Sequence, residues 1–143
     1  MRSPLKRLVA LLCSLFAAVG LAACSKALSI SAFKGEEHAV AQTISNLQTD
    51  VTASDEQKIC TNDLAAAVVA RLNATPGGCK QVIKNQLAEL DNFEVAVQSV
   101  HLATTGAQPT AIAHVTSIHG GKTKASTLSL VKEGGKWKIS SLA

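Results

Sequence analysis

The 143 residues carry 14 basic and 10 acidic side chains, and three of the basic ones, Arg2, Lys6 and Arg7, stand at the very start. From Cys24 onward 11 basic residues face 10 acidic ones, so net charge gives no argument for binding nucleic acid or anionic lipid. Beyond the leader the aromatic residues are Phe33, Phe93 and Trp137, with no tyrosine, which argues against a stacking platform for bases and leaves little for a sugar cleft.

Met1 to Arg7 form a short positive segment, and Leu8 to Leu21 are almost wholly apolar. This is the charged-then-apolar plan of a secretory signal. The run is shorter than the roughly 20 apolar residues a membrane span needs, which sets an uncleaved anchor aside. The next stretch, Leu21-Ala22-Ala23-Cys24-Ser25, closely resembles the lipobox of bacterial lipoproteins. The resemblance implies a diacylglyceryl thioether on Cys24 and cleavage between Ala23 and Cys24. Two acyl chains anchor stably where one is marginal. An ordinary signal peptide cut after Ala23, which would free the protein, is the alternative. The expected organisation is a signal peptide over 1–23, a lipidated cysteine and tether over 24–35, and a domain over 36–143. That domain would lie on the extracytoplasmic side of the cell membrane.

Cys13 would leave with the leader and Cys24 would carry lipid, so Cys60 and Cys79 remain. An even pair in an exported domain reads as a disulfide. A zinc site would want paired C-x-x-C spacings, and a redox pair would sit closer in sequence. No metal or cofactor is therefore expected.

Val40, Ile44, Leu47 and Val51 recur at spacings of four, three and four, one face of a helix with Glu36 and Glu37 in its first turn. Ser54 followed by Asp55-Glu56-Gln57 reads as the start of a short helix carrying Ile59 and Cys60. Thr61 or Asn62 is expected to cap another, with Leu64, Val68 and Leu72 along one side. Pro76-Gly77-Gly78 breaks the chain, and a last helix after Cys79 buries Val82, Ile83, Leu87 and Leu90.

From Asn92 the period becomes two. Phe93, Val95 and Val97 share a face, Val100 and Leu102 take the opposite parity, and a bulge near Gln98-Ser99 would reconcile them. Further strands are expected over Thr110–His119, Thr123–Lys132 and Lys136–Leu142, with Leu128, Leu130, Trp137 and Ile139 inward. Gly120-Gly121 and Gly134-Gly135 suit two-residue hairpin turns. The fold class is α+β: N-terminal helices on a bent, four-stranded antiparallel sheet.

The closing stretch Leu128-Ser-Leu-Val-Lys-Glu-Gly-Gly-Lys-Trp-Lys-Ile-Ser-Ser-Leu142 resembles the end of nuclear-transport-factor-2-like cone-fold proteins, a group that includes polyketide-cyclase-like and steroid-isomerase-like enzymes. The Cys60 and Cys79 pattern is similar to that of small exported members. The resemblance spans residues 36 to 142 and implies a cone-like domain, but the fold hosts catalysts, binders and assembly modules alike.

Against the isomerase pattern, the chain lacks tyrosine, and its acids fall in expected helices, turns or outward strand positions, with no acid–base pair. His101, His114 and His119 lie on or beside the first two strands. His114 is the candidate base: it enters the pocket if the Ile112 and Ile118 parity faces inward, and leaves it if Ala111, Ala113 and Val115 do. His38, beside Glu36 and Glu37, is expected to be exposed. The lysines of the last strands, Lys122, Lys124, Lys132, Lys136 and Lys138, read as solvating strands or guarding an edge, the alternative being a basic strip that faces lipid headgroups or an acidic partner. The expected function is a membrane-anchored, non-catalytic module for a small apolar ligand or an envelope protein. A cyclase- or isomerase-like enzyme using His114 is the rival, and a homodimer through the sheet face a third reading.

Overall fold

The computed structural model describes residues 29–142. The leader and Cys24, with the lipid attachment expected there, lie outside the described residues. A 3-10 turn, Ile30–Ala32, leads to the buried Phe33 and to α1, Gly35–Thr52. Of the stripe read from the sequence, Val40 and Ile44 are at most 1% exposed and Leu47 and Val51 are half-buried, and Ala41 joins them in the core. A three-residue helix α2, Glu56–Lys58, runs directly into a π-helical turn, Ile59–Asp63. Then come α3, Ala66–Asn73, and α4, Gly78–Leu87.

Two expected caps are replaced. Asp55, not Ser54, caps α2, its carboxylate accepting the Lys58 N–H at 3.0 Å. Neither Thr61 nor Asn62 caps α3. Both belong to the π-helical turn, and Leu64 pairs as a parallel bridge with Ile139 on the sheet edge instead of opening the helix. The Ala65 N–H donates to the Ile139 carbonyl at 2.9 Å. The free N–H of Ala66 donates to the Glu133 carboxylate, 3.1 Å to Oε2, so a side chain 67 residues away does the work of a local cap.

Before α4, Gly77 takes φ +86, and a Cβ there would come within 2.6 Å of the Gln81 side chain. The Asn73 side-chain oxygen accepts the Cys79 N–H at 2.9 Å. The Cys60 and Cys79 sulfurs lie 2.03 Å apart, with Cα atoms 6.2 Å apart, tying the π-helical turn to the first turn of α4.

The sheet is an antiparallel meander in the order β1-β2-β3-β4: Glu94–Ala103, Thr110–His119, Lys122–Glu133 and Lys136–Leu142. The register shifts between Val97 and Ser99, where the parity change placed a bulge. A second shift follows on the last pair: Leu130 faces Ile139 and Ser129 faces Ser141, leaving Ser140 as the extra residue. Bulges bend a strand and increase its twist. The Gly-Gly turns hold positive φ at both residues, +55 and +73 at Gly120 and Gly121 and +55 and +78 at Gly134 and Gly135, the geometry that matches strand twist in a tight hairpin.

One face of the sheet buries Val97, Val100, Ala111, Ala113, Val115, Leu128, Leu130, Trp137 and Ile139 against α1. A second cluster forms around Ile59, Cys60, Cys79 and Ile83, and Leu47 and Leu64 pack against both. Among the described residues both clusters lie within residues 30–139.

Candidate functional site

An apolar cavity of about 540 Å³ opens between the helical layer and the last strands, within the roughly 300–1,000 Å³ usual for small-molecule sites. Helical periodicity builds its walls. α1 contributes Leu47 and Val51, α3 contributes Val68 and Leu72, and α4 contributes Ile83 and Leu87. Each pair is spaced i, i+4, the spacing that stacks two side chains on one helix face. Ile59 and Leu64 close one end, Leu90 and Phe93 form a lip, and Leu128 and Ile139 form the sheet wall. The sulfur bridge frames the site, because Ile59 adjoins Cys60 and Ile83 lies one turn beyond Cys79.

Polar groups at this cavity are few: Arg71, Gln86, Ser140 and Ser141. Arg71 is the single charged residue on the lining. The ion pairs among the described residues are Lys58 with Asp50 and Asp55, and Lys132 with Glu36; Arg71 joins none of them.

A second, more polar cavity of about 570 Å³ lies along the opposite flank of α1, bordered by His38, Gln42 and Asn46, by Asn62 and Asp63, and by Trp137. At its edge the structure revises the reading of the acids. Asp50 and Asp63 are both buried, at 8% and 3% exposure. Burial pushes the Asp63 carboxyl up to about 7, and the Asp50 carboxylate facing it adds to the shift. One Asp63 oxygen, Oδ2, has no hydrogen-bond partner. Lys58 lies 3.7 Å from Asp50, and the Lys138 ammonium is held by the carbonyls of Thr61 and Asn62. A carboxylic acid that stays protonated near neutrality can donate a proton, but Asp63 has no base or nucleophile other than Asp50 beside it.

His114 does not enter either cavity. Ala111, Ala113 and Val115 face the core, so the alternation turns His114 and Ile112 to the open face of the sheet. The His114 ring meets His101 edge-on at 5.8 Å and lies 3.3 Å from the Thr127 hydroxyl, with no carboxylate to orient it. Of the two parities the alternation left open, this is the one that turns His114 away from the pocket. His119 and His38 each bond a backbone carbonyl, Asp91 and Ile30 respectively, at 3.1 Å. Among the described residues no three His, Cys, Asp or Glu side chains converge in a way that would hold a metal ion.

Arg71 and the Asp50–Asp63 pair escaped the sequence reading. Arg71 had one signal, as the sole arginine after Arg7, placed between Val68 and Leu72. Asp50 sits three residues past Leu47, on the shoulder of the α1 stripe.

No family model matches the chain. No curated protein matches it either. Among solved structures it is similar to designed nuclear-transport-factor-2-like proteins. One is a variant of Rd1NTF2_05, with a TM-score of 0.45 and 17% identity over 72% of this chain and 93% of the other. Another is titled Rd1NTF2_05 with long sheet, with a TM-score of 0.43 and 19% identity over 73% and 93%. Likeness of this extent carries no argument about what the chain does.

Proposed function

We propose that the domain is a membrane-tethered, extracytoplasmic binding module that takes a small apolar ligand into the cavity between its helices and its sheet. One observation carries this reading: paired aliphatic side chains on three helices converge on an unfilled space with a single charged side chain at its border. The lining sets this cleft apart: its walls are aliphatic, whereas the neighbouring cavity is edged by His38, Gln42, Asn46 and Asp63. The tether rests on the lipobox resemblance at Cys24.

Catalysis draws less support. His114 lies on the wrong face, and Asp63 borders the other cavity. Native mass spectrometry of the domain starting at Ser25, purified without detergent, tests the binding reading. A reproducible bound mass that disappears when Leu72→Trp fills the cavity supports it. An empty domain that also ignores added dodecan-1-ol refutes it. Fractionation of cells carrying Cys24→Ser tests the tether, since release of the protein from membranes is the expected result.

A further inference from the structure

The aliphatic lining of the cavity includes a few polar residues whose chemistry is specific, and the inference drawn from them rests on the binding reading above. We infer that the ligand is a single-chain amphiphile with a carboxylate head, and that Arg71 holds that head while the chain lies among the aliphatic walls. Three observations carry this assignment.

The first is charge. Arg71 is the single charged residue on the lining, and no carboxylate of the described residues pairs with it. Glu133, the acid that meets the other end of the same helix, is engaged by the Ala66 N–H. Position in the last turn of α3 explains a cation there through the helix dipole, but a lysine would serve that purpose as well. The planar guanidinium fork matches a carboxylate with two parallel hydrogen bonds, a fit an ammonium lacks.

The second is the strand irregularity. In a regular strand, successive side chains point to opposite faces. Ile139, Ser140 and Ser141 nevertheless all border this cavity, because the register shift makes Ser140 an extra residue between the Leu130–Ile139 and Ser129–Ser141 pairs. The bulge therefore sets Ser140, the extra residue, beside a wall that is otherwise aliphatic, while Ser141, opposite Ser129, keeps the outward parity of that pair. Bulges commonly re-aim side chains beside binding sites.

The third is balance. The walls formed by Leu47, Val51, Leu72, Ile83 and Leu87 offer no other hydrogen-bonding side chain, and Gln86 supplies one more polar group. A wholly apolar ligand would leave Arg71 and Ser140 unused. A ligand with several charges would leave charge stranded against the leucines. One head and one chain match a lining of aliphatic walls with a single cation.

Calorimetric titration of the Ser25-onward domain with dodecanoate and with dodecan-1-ol, both below their aggregation concentrations, tests this. Dodecanoate should bind at least tenfold more tightly than the alcohol. Arg71→Gln should erase that preference by weakening dodecanoate far more than the alcohol, and Arg71→Lys should restore part of it. Raising the salt concentration should weaken the acid and not the alcohol. Equal binding of acid and alcohol by the unsubstituted domain overturns the carboxylate assignment and leaves the apolar-ligand reading intact. Binding of neither overturns both. A preference for dodecyltrimethylammonium over dodecanoate also overturns the assignment. Arg71 is exposed, so its substitution leaves the fold intact, and an unchanged melting temperature verifies that.

Discussion

The Glu36 carboxylate accepts the indole N–H of Trp137 at 2.7 Å and, through its other oxygen, the Lys132 ammonium at 2.7 Å. One side chain in the first turn of α1 thus pins that helix to both strands of the last hairpin. The two donors hold the Glu36 carboxyl below its ordinary range, Lys132 first and Trp137 second. Glu36→Ala should lower the urea midpoint, because it leaves the buried indole N–H without an acceptor. Glu36→Gln, which keeps an acceptor, should lower it less. Trp137 is the sole tryptophan, so its fluorescence reports the site directly. Equal midpoints for all three proteins would show that the pin contributes nothing.

Asp63 should make the domain less stable as pH rises toward neutrality. Its carboxyl is raised from 3.8 to about 7, by burial first and then by Asp50, with Asp55 adding to the shift and Lys138 opposing it. A raised acid favours the folded state fully below its unfolded value, and that contribution is lost as pH climbs through the folded one. Chemical denaturation should therefore give a lower stability at pH 8 than at pH 5.5. Asp63→Asn should remove most of that slope and stabilise the domain at pH 8 by about 1–3 kcal/mol, the usual scale for relieving a poorly satisfied buried polar group. A slope unchanged by Asp63→Asn would reject the assignment. Glu36 and Asp55, whose carboxyls are lowered, act in the opposite sense, and their contributions fade only as pH falls below the ordinary carboxylate range.

The bridge between Cys60 and Cys79 closes a sequence separation of 19. Breaking it with the double substitution Cys60→Ala and Cys79→Ala should cost about 3 kcal/mol on the loop-entropy model. Ligand affinity should fall as well, since the bridge sets the spacing of Ile59 and Ile83 across the cavity. Titration of the denatured, unreduced protein should find neither of these thiols free.

Removing His114 should matter little. It lies on the open face of the sheet, away from both cavities, so His114→Ala should change stability by no more than about 0.5 kcal/mol and leave dodecanoate binding as it was. A large loss of binding would restore the pocket-histidine reading.

Spacing along the chain was enough to locate much of this fold. The stripe Val40, Ile44, Leu47 names the buried side of α1. The break in parity between Val97 and Val100 places the first bulge, and the Gly-Gly pairs place two hairpins. These features are legible because helix and strand periods are written in near neighbours. The rest depends on which elements meet across the chain. Glu133 caps a helix 67 residues earlier, and Leu64 leaves its expected helix to pair with Ile139. Asp50 and Asp63 become one buried pair only when the π-helical turn docks on α1, and His114 faces outward because Ala111 and Ala113 take the core. Arg71 borders the cavity from α3, and Ser140 borders it through a bulge that alternation alone does not announce. Periodicity states which side of an element is apolar; only packing decides what that side, and the polar residues at its margin, will face.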